Sequence, residues 1–285
     1  MTPLWMAHLK SQLKGVWKKQ RLALLRRWFG FGPEELRRAL HTLGIHSGDT
    51  LLVHSSLDRL ECFTGKISEL IVVLQEAVGS EGLLLMPTLP FSGTALEWVR
   101  SGNRFDATTT PSRSGLLTEL FRRSRGVIRS IHPTHPVAAW GRQAQAFCRD
   151  HPACATPCGH GSPYANLLEA NGKILLLGAG IESLTFFHAA EEILESRLPR
   201  SPFTQERFEL LSRAPDGALI PTITRLFDPA LSRQRRIARM VPELKRRGEW
   251  HGVRLGTAAM IRLDARVILT TLTAMADEGR FCYAP

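Results

Sequence analysis

Short runs of uninterrupted apolar residues alternate along this chain with stretches of helical spacing. Residues 50–53, Thr-Leu-Leu-Val, have the length and composition of a buried strand. Residues 82–86, Gly-Leu-Leu-Leu-Met, repeat the pattern and are closed by Pro87. Residues 173–177, Lys-Ile-Leu-Leu-Leu, repeat it again ahead of Gly178, Ala179 and Gly180. Elsewhere the period changes. Leu36, Leu40 and Leu43 follow Pro33, Glu34 and Glu35 and precede Gly44, which predicts a helix with acids in its first turn and glycine at its end. A second helix is predicted over residues 67–78. Buried strands alternating with helices imply a largely parallel or mixed sheet covered on both faces. Residues 92–114, rich in Gly, Ser, Thr and Arg, read as a long loop of the kind that binds ligands.

Residues 1–30 read as a basic amphipathic arm and residues 31–285 as one main domain. In the arm, Trp5, Leu9, Leu13, Val16 and Trp17 recur at helical spacing among lysines. Lys10, Lys14, Lys18, Lys19, Arg21, Arg26 and Arg27 face no acid there, which gives the arm +7 of the formal +11. The stripe admits packing on the domain or on a second copy in a homo-oligomer, and it also admits an anionic membrane surface. No motif supports nucleic acid. A second basic cluster, Arg233 to Arg247, falls in a helical-looking segment and reads as a phosphate attractor or a solvated face.

With 44% hydrophobic and 22% charged residues, the 285-residue chain has a globular composition. It lacks the roughly 20 successive apolar residues of a membrane span, and its first thirty residues lack a signal-peptide pattern. The expectation is a cytoplasmic protein. Cys62, Cys148, Cys154, Cys158 and Cys282, odd in number and scattered, fit reduced thiols.

Candidate chemistry concentrates after the 173–177 strand, where Thr185, His188, Glu191, Glu192 and Glu195 follow at helical spacing. A histidine beside carboxylates can act as a general base near neutral pH. The same pattern also describes an exposed polar helix face. Residues 131–136, Ile-His-Pro-Thr-His-Pro, hold His132 and His135 between prolines in an extended loop or a structural turn. His54, Ser55, Ser56 and Leu57 follow a strand directly, where hydroxyls and free N–H groups favour phosphate. His151, Cys154, Cys158 and His160 are four zinc-type ligands on one short loop, but the loop supplies little framework and no metal is expected. Phosphate-loop, dinucleotide and nucleophile-elbow motifs are absent.

Taken in order, several stretches resemble the antibiotic N-acetyltransferase family, typified by the aminoglycoside 3-N-acetyltransferases. They are Leu-Leu-Val-His-Ser-Ser-Leu at 51–57, Leu-Met-Pro-Thr at 85–88, Pro-Ser-Arg-Ser-Gly-Leu-Leu-Thr-Glu at 111–119 and Arg-Ser-Ile-His-Pro at 129–133. The series continues with Ala-Ala-Trp-Gly at 138–141, His-Gly-Ser-Pro at 160–163, Leu-Leu-Leu-Gly at 175–178, Thr-Phe-Phe-His-Ala-Ala-Glu at 185–191 and Leu-Gly-Thr-Ala at 255–258. The resemblance implies an α/β layered sandwich with a central mixed sheet flanked by helices. It implies acetyl-CoA as the donor and a small-molecule amine as the acceptor, with no metal.

Carried onto this chain, the resemblance makes His188 the catalytic base, Glu191 or Glu119 its orienting acid, and Thr185 a donor near the thioester. It assigns His54, Ser55, Ser56, Leu57 and Ser112 to the coenzyme and His132 and His135 to the acceptor side. The basic body, the residue His135 and the arm depart from the pattern of relatives that modify polycationic antibiotics. An amino sugar or amino sugar nucleotide is therefore the expected acceptor. A true antibiotic-resistance enzyme, or a non-catalytic basic peripheral protein on a degenerate body, is the alternative.

Overall fold

The computed structural model describes residue 17 and residues 20–284. The stripe residues Trp5, Leu9, Leu13 and Val16 lie outside the described residues. Along the chain run helix α1 (20–29), α2 (Pro33–Thr42), β1 (Thr50–Ser55), α3 (Ile67–Val78), β2 (Leu83–Pro87), α4 (Ala95–Arg100), β3 (Phe105–Asp106) and α5 (Leu116–Arg122). Next come β4 (Ile128–Arg129), β5 (Val137–Gly141), α6 (Ala144–Cys148), α7 (Pro163–Glu169), β6 (Lys173–Leu177) and α8 (Phe186–Ile193). The last elements are β7 (Phe203–Arg213), β8 (Leu219–Phe227), α9 (Pro229–Gln234), α10 (Val241–Arg246), β9 (His251–Leu255), β10 (Ala258–Asp264) and α11 (Ala265–Asp277).

The main sheet has the order β4-β5-β2-β1-β6-β10-β9, with β1 parallel to both β2 and β6 and the outer strands antiparallel. This is the mixed sheet that the resemblance implies. Alternate residues divide between its faces, as a period of two requires. Leu51, Val53, Leu84, Met86, Leu175 and Leu177 join one core with the buried faces of α2, α3 and α5. Leu52, Leu83, Leu85, Ile174 and Leu176 join the other with α6, α7, α8 and α11. Both faces are covered, so the strands read as continuous apolar runs in the sequence.

Residues 92–114 differ from the expected loop, because α4 and β3 form inside them. Thr94 caps α4 by accepting from Glu97 N, while Glu97 returns to Thr94 N at 3.0 Å. β3 then pairs with β7 in a second, three-stranded sheet β3-β7-β8. The Arg233–Arg247 segment is helical only in pieces, interrupted between Arg235 and Arg236. The inner half of the arm docks on the domain: Leu25 packs on the core, and Arg26 Nε donates to the Glu61 carbonyl at 3.0 Å.

Candidate active site

The carboxyl ends of β1, β2 and β6 meet at one crevice, where open α/β sheets receive ligands. A cavity of about 280 Å³ lies there, bordered by His54 and Ser55 at the end of β1, Pro87 at the end of β2, and Thr185 and His188 at the start of α8. Gly178 turns the chain out of β6 with φ at +68°, and a Cβ there would stand 3.2 Å from the Ser56 carbonyl oxygen.

His188 Nδ1 is 3.0 Å from Glu191 Oε2, a pair set by one turn of α8. Glu191 is 2% exposed and takes two further donors. Arg235 Nε stands 2.9 Å from both of its oxygens, and Tyr283 Oη donates to Oε1 at 2.5 Å. Burial alone would raise this carboxyl, but the hydrogen bonds from His188 and Arg235 outweigh burial and hold it below its ordinary value. A carboxylate on Nδ1 keeps the proton on that nitrogen and leaves Nε2 as the free base. Burial pushes the His188 imidazole below its ordinary value, Arg235 adds to the effect, and Glu191 offsets only part of it. His188 is therefore neutral at pH 7. Phe227 of β8 packs on its ring at 4.6 Å between centroids and receives Arg235 on the same ring at 5.1 Å.

His54 also borders the cavity, and its Nε2 is buried without a hydrogen-bond partner among the described residues. Burial, reinforced by His188, pushes its imidazole down to about 3, so it too is neutral. Thr185 occupies the N-cap position of α8 and lines the wall. Ser56 and Leu57 stand outside the lining: Ser56 N donates to the Leu177 carbonyl, and Leu57 opens a 3-10 turn. Ser112 is buried one layer back with its Oγ 2.7 Å from Thr118 Oγ1, and it is Ser114 and Thr118 that reach the cavity.

Glu119 is not at His188. Its carboxylate accepts from Ser112 N at 2.7 Å and from Arg122 Nε at 2.6 Å, and Arg123 pairs with it as well. Of the two glutamates, only Glu191 touches the histidine. His132 and His135 are buried instead of being presented to an acceptor, and neither borders the cavity. His132 Nδ1 accepts from the His135 backbone N–H at 3.1 Å and its ring stacks on His151 at 4.5 Å. His135 lies behind the site, its ring 6.3 Å from His188 and 5.4 Å from Phe227.

The four zinc-type residues do not converge. His151 is bonded to Ser130 Oγ at 2.8 Å and to the Pro157 carbonyl at 3.0 Å. Cys154 donates to the His160 carbonyl, burial pushes its thiol up to about 12, and the His160 side chain faces solvent. Sequence reasoning placed Arg235 in a phosphate-attracting cluster and did not single out Tyr283. Their role depends on contacts over 44 and 92 residues, for which no local spacing gives a signal.

A family model described as aminoglycoside 3-N-acetyltransferase matches residues 52–277. The aminoglycoside N(3)-acetyltransferase VII of Streptomyces paromomycinus is 34% identical over 191 residues, covering 61% of this chain and 65% of that relative. The chain thus spans just under two thirds of that relative's length. Among solved structures, the aminoglycoside acetyltransferase AAC(3)-Xa matches with a TM-score of 0.76 at 26% identity, covering 92% of this chain and 99% of its own. AAC-IIIb, solved as a binary complex with CoASH, matches with a TM-score of 0.73 at 26% identity, covering 90% and 99%. This chain belongs to the aminoglycoside 3-N-acetyltransferase family.

Proposed function

We propose that the protein moves an acetyl group from acetyl-CoA to an amine of an amino sugar or aminoglycoside-like acceptor, with His188 as general base. The observation that carries this reading is the His188–Glu191 pair at the rim of the 280 Å³ cavity, with Nδ1 occupied and Nε2 left free. An alkyl amine with a pKa of about 10 is mostly protonated at neutral pH and cannot attack a thioester until a proton leaves. His188 Nε2 takes that proton while Glu191 stabilises the imidazolium. The amine nitrogen bonds to the thioester carbonyl carbon, the C–S bond breaks, the departing thiolate recovers a proton from His188, and the second proton that nitrogen loses as the amide forms passes to solvent. Thr185, at the N-cap of α8 on the cavity wall, is placed to donate to the carbonyl oxygen as charge grows on it. Hydroxyls of Ser55, Ser114 and Thr118 beside apolar Val53, Leu89 and Leu184 suit the acyl thioester and its amide-bearing arm.

Charge in the cavity bears on the acceptor. Glu182 is the one carboxylate in the lining among the described residues, and its oxygens already accept from the N–H groups of Ile237 and Ala238 at 3.1 and 3.0 Å. A polycation needs several free carboxylates, so this wall favours a sugar with a single amine. Free-thiol release from acetyl-CoA across amino sugars, amino sugar nucleotides and aminoglycosides tests the reading. Turnover confined to polycationic aminoglycosides overturns the acceptor assignment, and no release with any amine overturns the transferase in favour of a non-catalytic body.

We infer in addition that the arm rests on an anionic membrane surface. Trp17, Leu24 and Trp28 share one side of the helical repeat and are all exposed, Trp28 at 74%. Tryptophans beside a cluster of basic residues are the composition of an interfacial helix.

A further inference from the structure

A second cavity, of about 600 Å³, opens at the edge of the main sheet beside β4. Arg122, Arg123, Arg129 and Arg149 border it, and no Asp or Glu does among the described residues. Arg122 and Arg123 share one carboxylate, Glu119. Arg129 is bonded by none: only 8% exposed, it donates to Thr88 Oγ1 at 2.9 Å, to the Thr88 carbonyl at 2.6 Å and to the Thr110 carbonyl at 2.5 Å. Arg149 is exposed, and its side chain makes no hydrogen bond or ion pair with the described residues. Burial and the like charge of Arg122 push the Arg129 guanidinium down to about 9, and Glu119 and Asp106 offset only part of that. Arg129 is still charged at pH 7.

A buried cation held only by neutral oxygens is costly, and an anion in the cavity would relieve that cost. The exposed guanidinium forks of Arg123 and Arg149 match the oxygens of phosphate groups, and the charge of four arginines against one carboxylate calls for more than a single negative charge. Val127, Ile128, Ile131 and Pro152 supply an apolar wall against which the organic part of such a ligand can lie. α5 separates this cavity from the acyl-transfer one, with Arg122 bordering this cavity and Thr118 the acyl-transfer cavity. We propose that the cavity at the β4 edge binds a small phosphate-bearing molecule, at a site distinct from that of the acyl donor. The assignment does not depend on the acetyltransferase reading.

Calorimetric titration of the full chain with inorganic pyrophosphate and with ADP, at constant ionic strength, tests it. The expected result is saturable binding that persists in saturating CoA, weakens at least tenfold in the Arg123→Ala/Arg149→Ala double variant, and is unchanged in His188→Ala. Both arginines of the double variant have exposed side chains, so the variant keeps its fold. No saturable binding by either probe, loss of binding in CoA, or unaltered affinity in the double variant overturns the proposal.

Discussion

Tyr283 donates its phenol hydrogen to Glu191 Oε1 at 2.5 Å, across 92 residues of sequence, and so ties the segment after α11 to the carboxylate that orients His188. Burial, with Glu191 adding to it, raises the phenol above its ordinary value, so it remains a donor throughout the working pH range. Tyr283→Phe removes one of the donors to a buried carboxylate without opening a cavity. Hydrogen bonds to charged groups are worth about 1.5–3 kcal/mol, and a stability loss of that size is expected in denaturant titration. Loss of orientation should lower kcat by about three- to tenfold with KM for acetyl-CoA unchanged. A folded variant with native kcat would remove Tyr283 from the positioning network.

His188→Ala tests the base directly. Positioned general bases contribute about 10²–10⁴ in rate, so kcat/KM should fall by that factor while CoA affinity stays within about twofold. Equal turnover in the variant would mean that another group takes the proton.

The pH profile carries the sign of the His188 environment. Burial and Arg235 lower its pKa, so the acid limb of kcat/KM should lie below the ordinary imidazole value of about 6.5. Glu191→Gln removes the one group that favours the imidazolium and leaves Arg235 unopposed. The limb should then move to still lower pH while the plateau rate falls. A shift to higher pH would contradict the assigned pairing.

Deleting residues 1–30 should leave turnover on a soluble acceptor unchanged and abolish co-sedimentation with vesicles containing anionic lipid. Trp28→Ser in the full chain should weaken that co-sedimentation and lose it at high salt, as a mixed apolar and electrostatic contact does. Co-sedimentation equal to that of the intact chain would place the basic apolar face against something other than lipid.

The parts of this molecule legible in sequence are those whose signal is local. Residues 173–177 and 67–78 form the strand and helix that their periodicity predicts, because both are bounded by glycine or by a switch of period. Thr185, His188 and Glu191 come together because helical spacing alone brings them to one face. Glu119 competed with Glu191 on sequence, and only the backbone path through α5 sends it to Arg122. Arg235 looked like one of several surface arginines because its partner lies 44 residues away. The β7–β8 hairpin, which carries Phe227 onto His188, went unread because much of β7 is exposed and polar.

Acid should unfold this protein earlier than its carboxylates alone would dictate. Burial pushes His54 down to about 3 and His151 to about 4, and holds His132 and His135 well below the ordinary value. Each binds a proton near pH 6.5 when unfolded but stays neutral when folded, so protons favour the unfolded chain below about 6.5. The stability these groups contribute is complete above that value and is lost as pH falls toward 4. Glu192 works in the opposite direction. Burial raises its carboxyl to about 8, so it is already protonated in the fold at pH 7 and contributes stability as pH falls from 8 toward 4.5. Below pH 6 the unfolded chain takes up more protons at these histidines than the fold gains at Glu192, so stability falls with falling pH there. Urea midpoints at pH 7.5, 6.5, 5.5 and 4.5 should therefore stay nearly level between the first two and fall steeply between the last two. Glu192→Gln removes that opposing contribution, so the midpoints should already fall between pH 7.5 and 6.5 and should fall more steeply below. Constant midpoints down to pH 4.5 would show that the histidines behind the site are not held neutral, and with them the account of His54 and His135 as uncharged neighbours of His188 would fail.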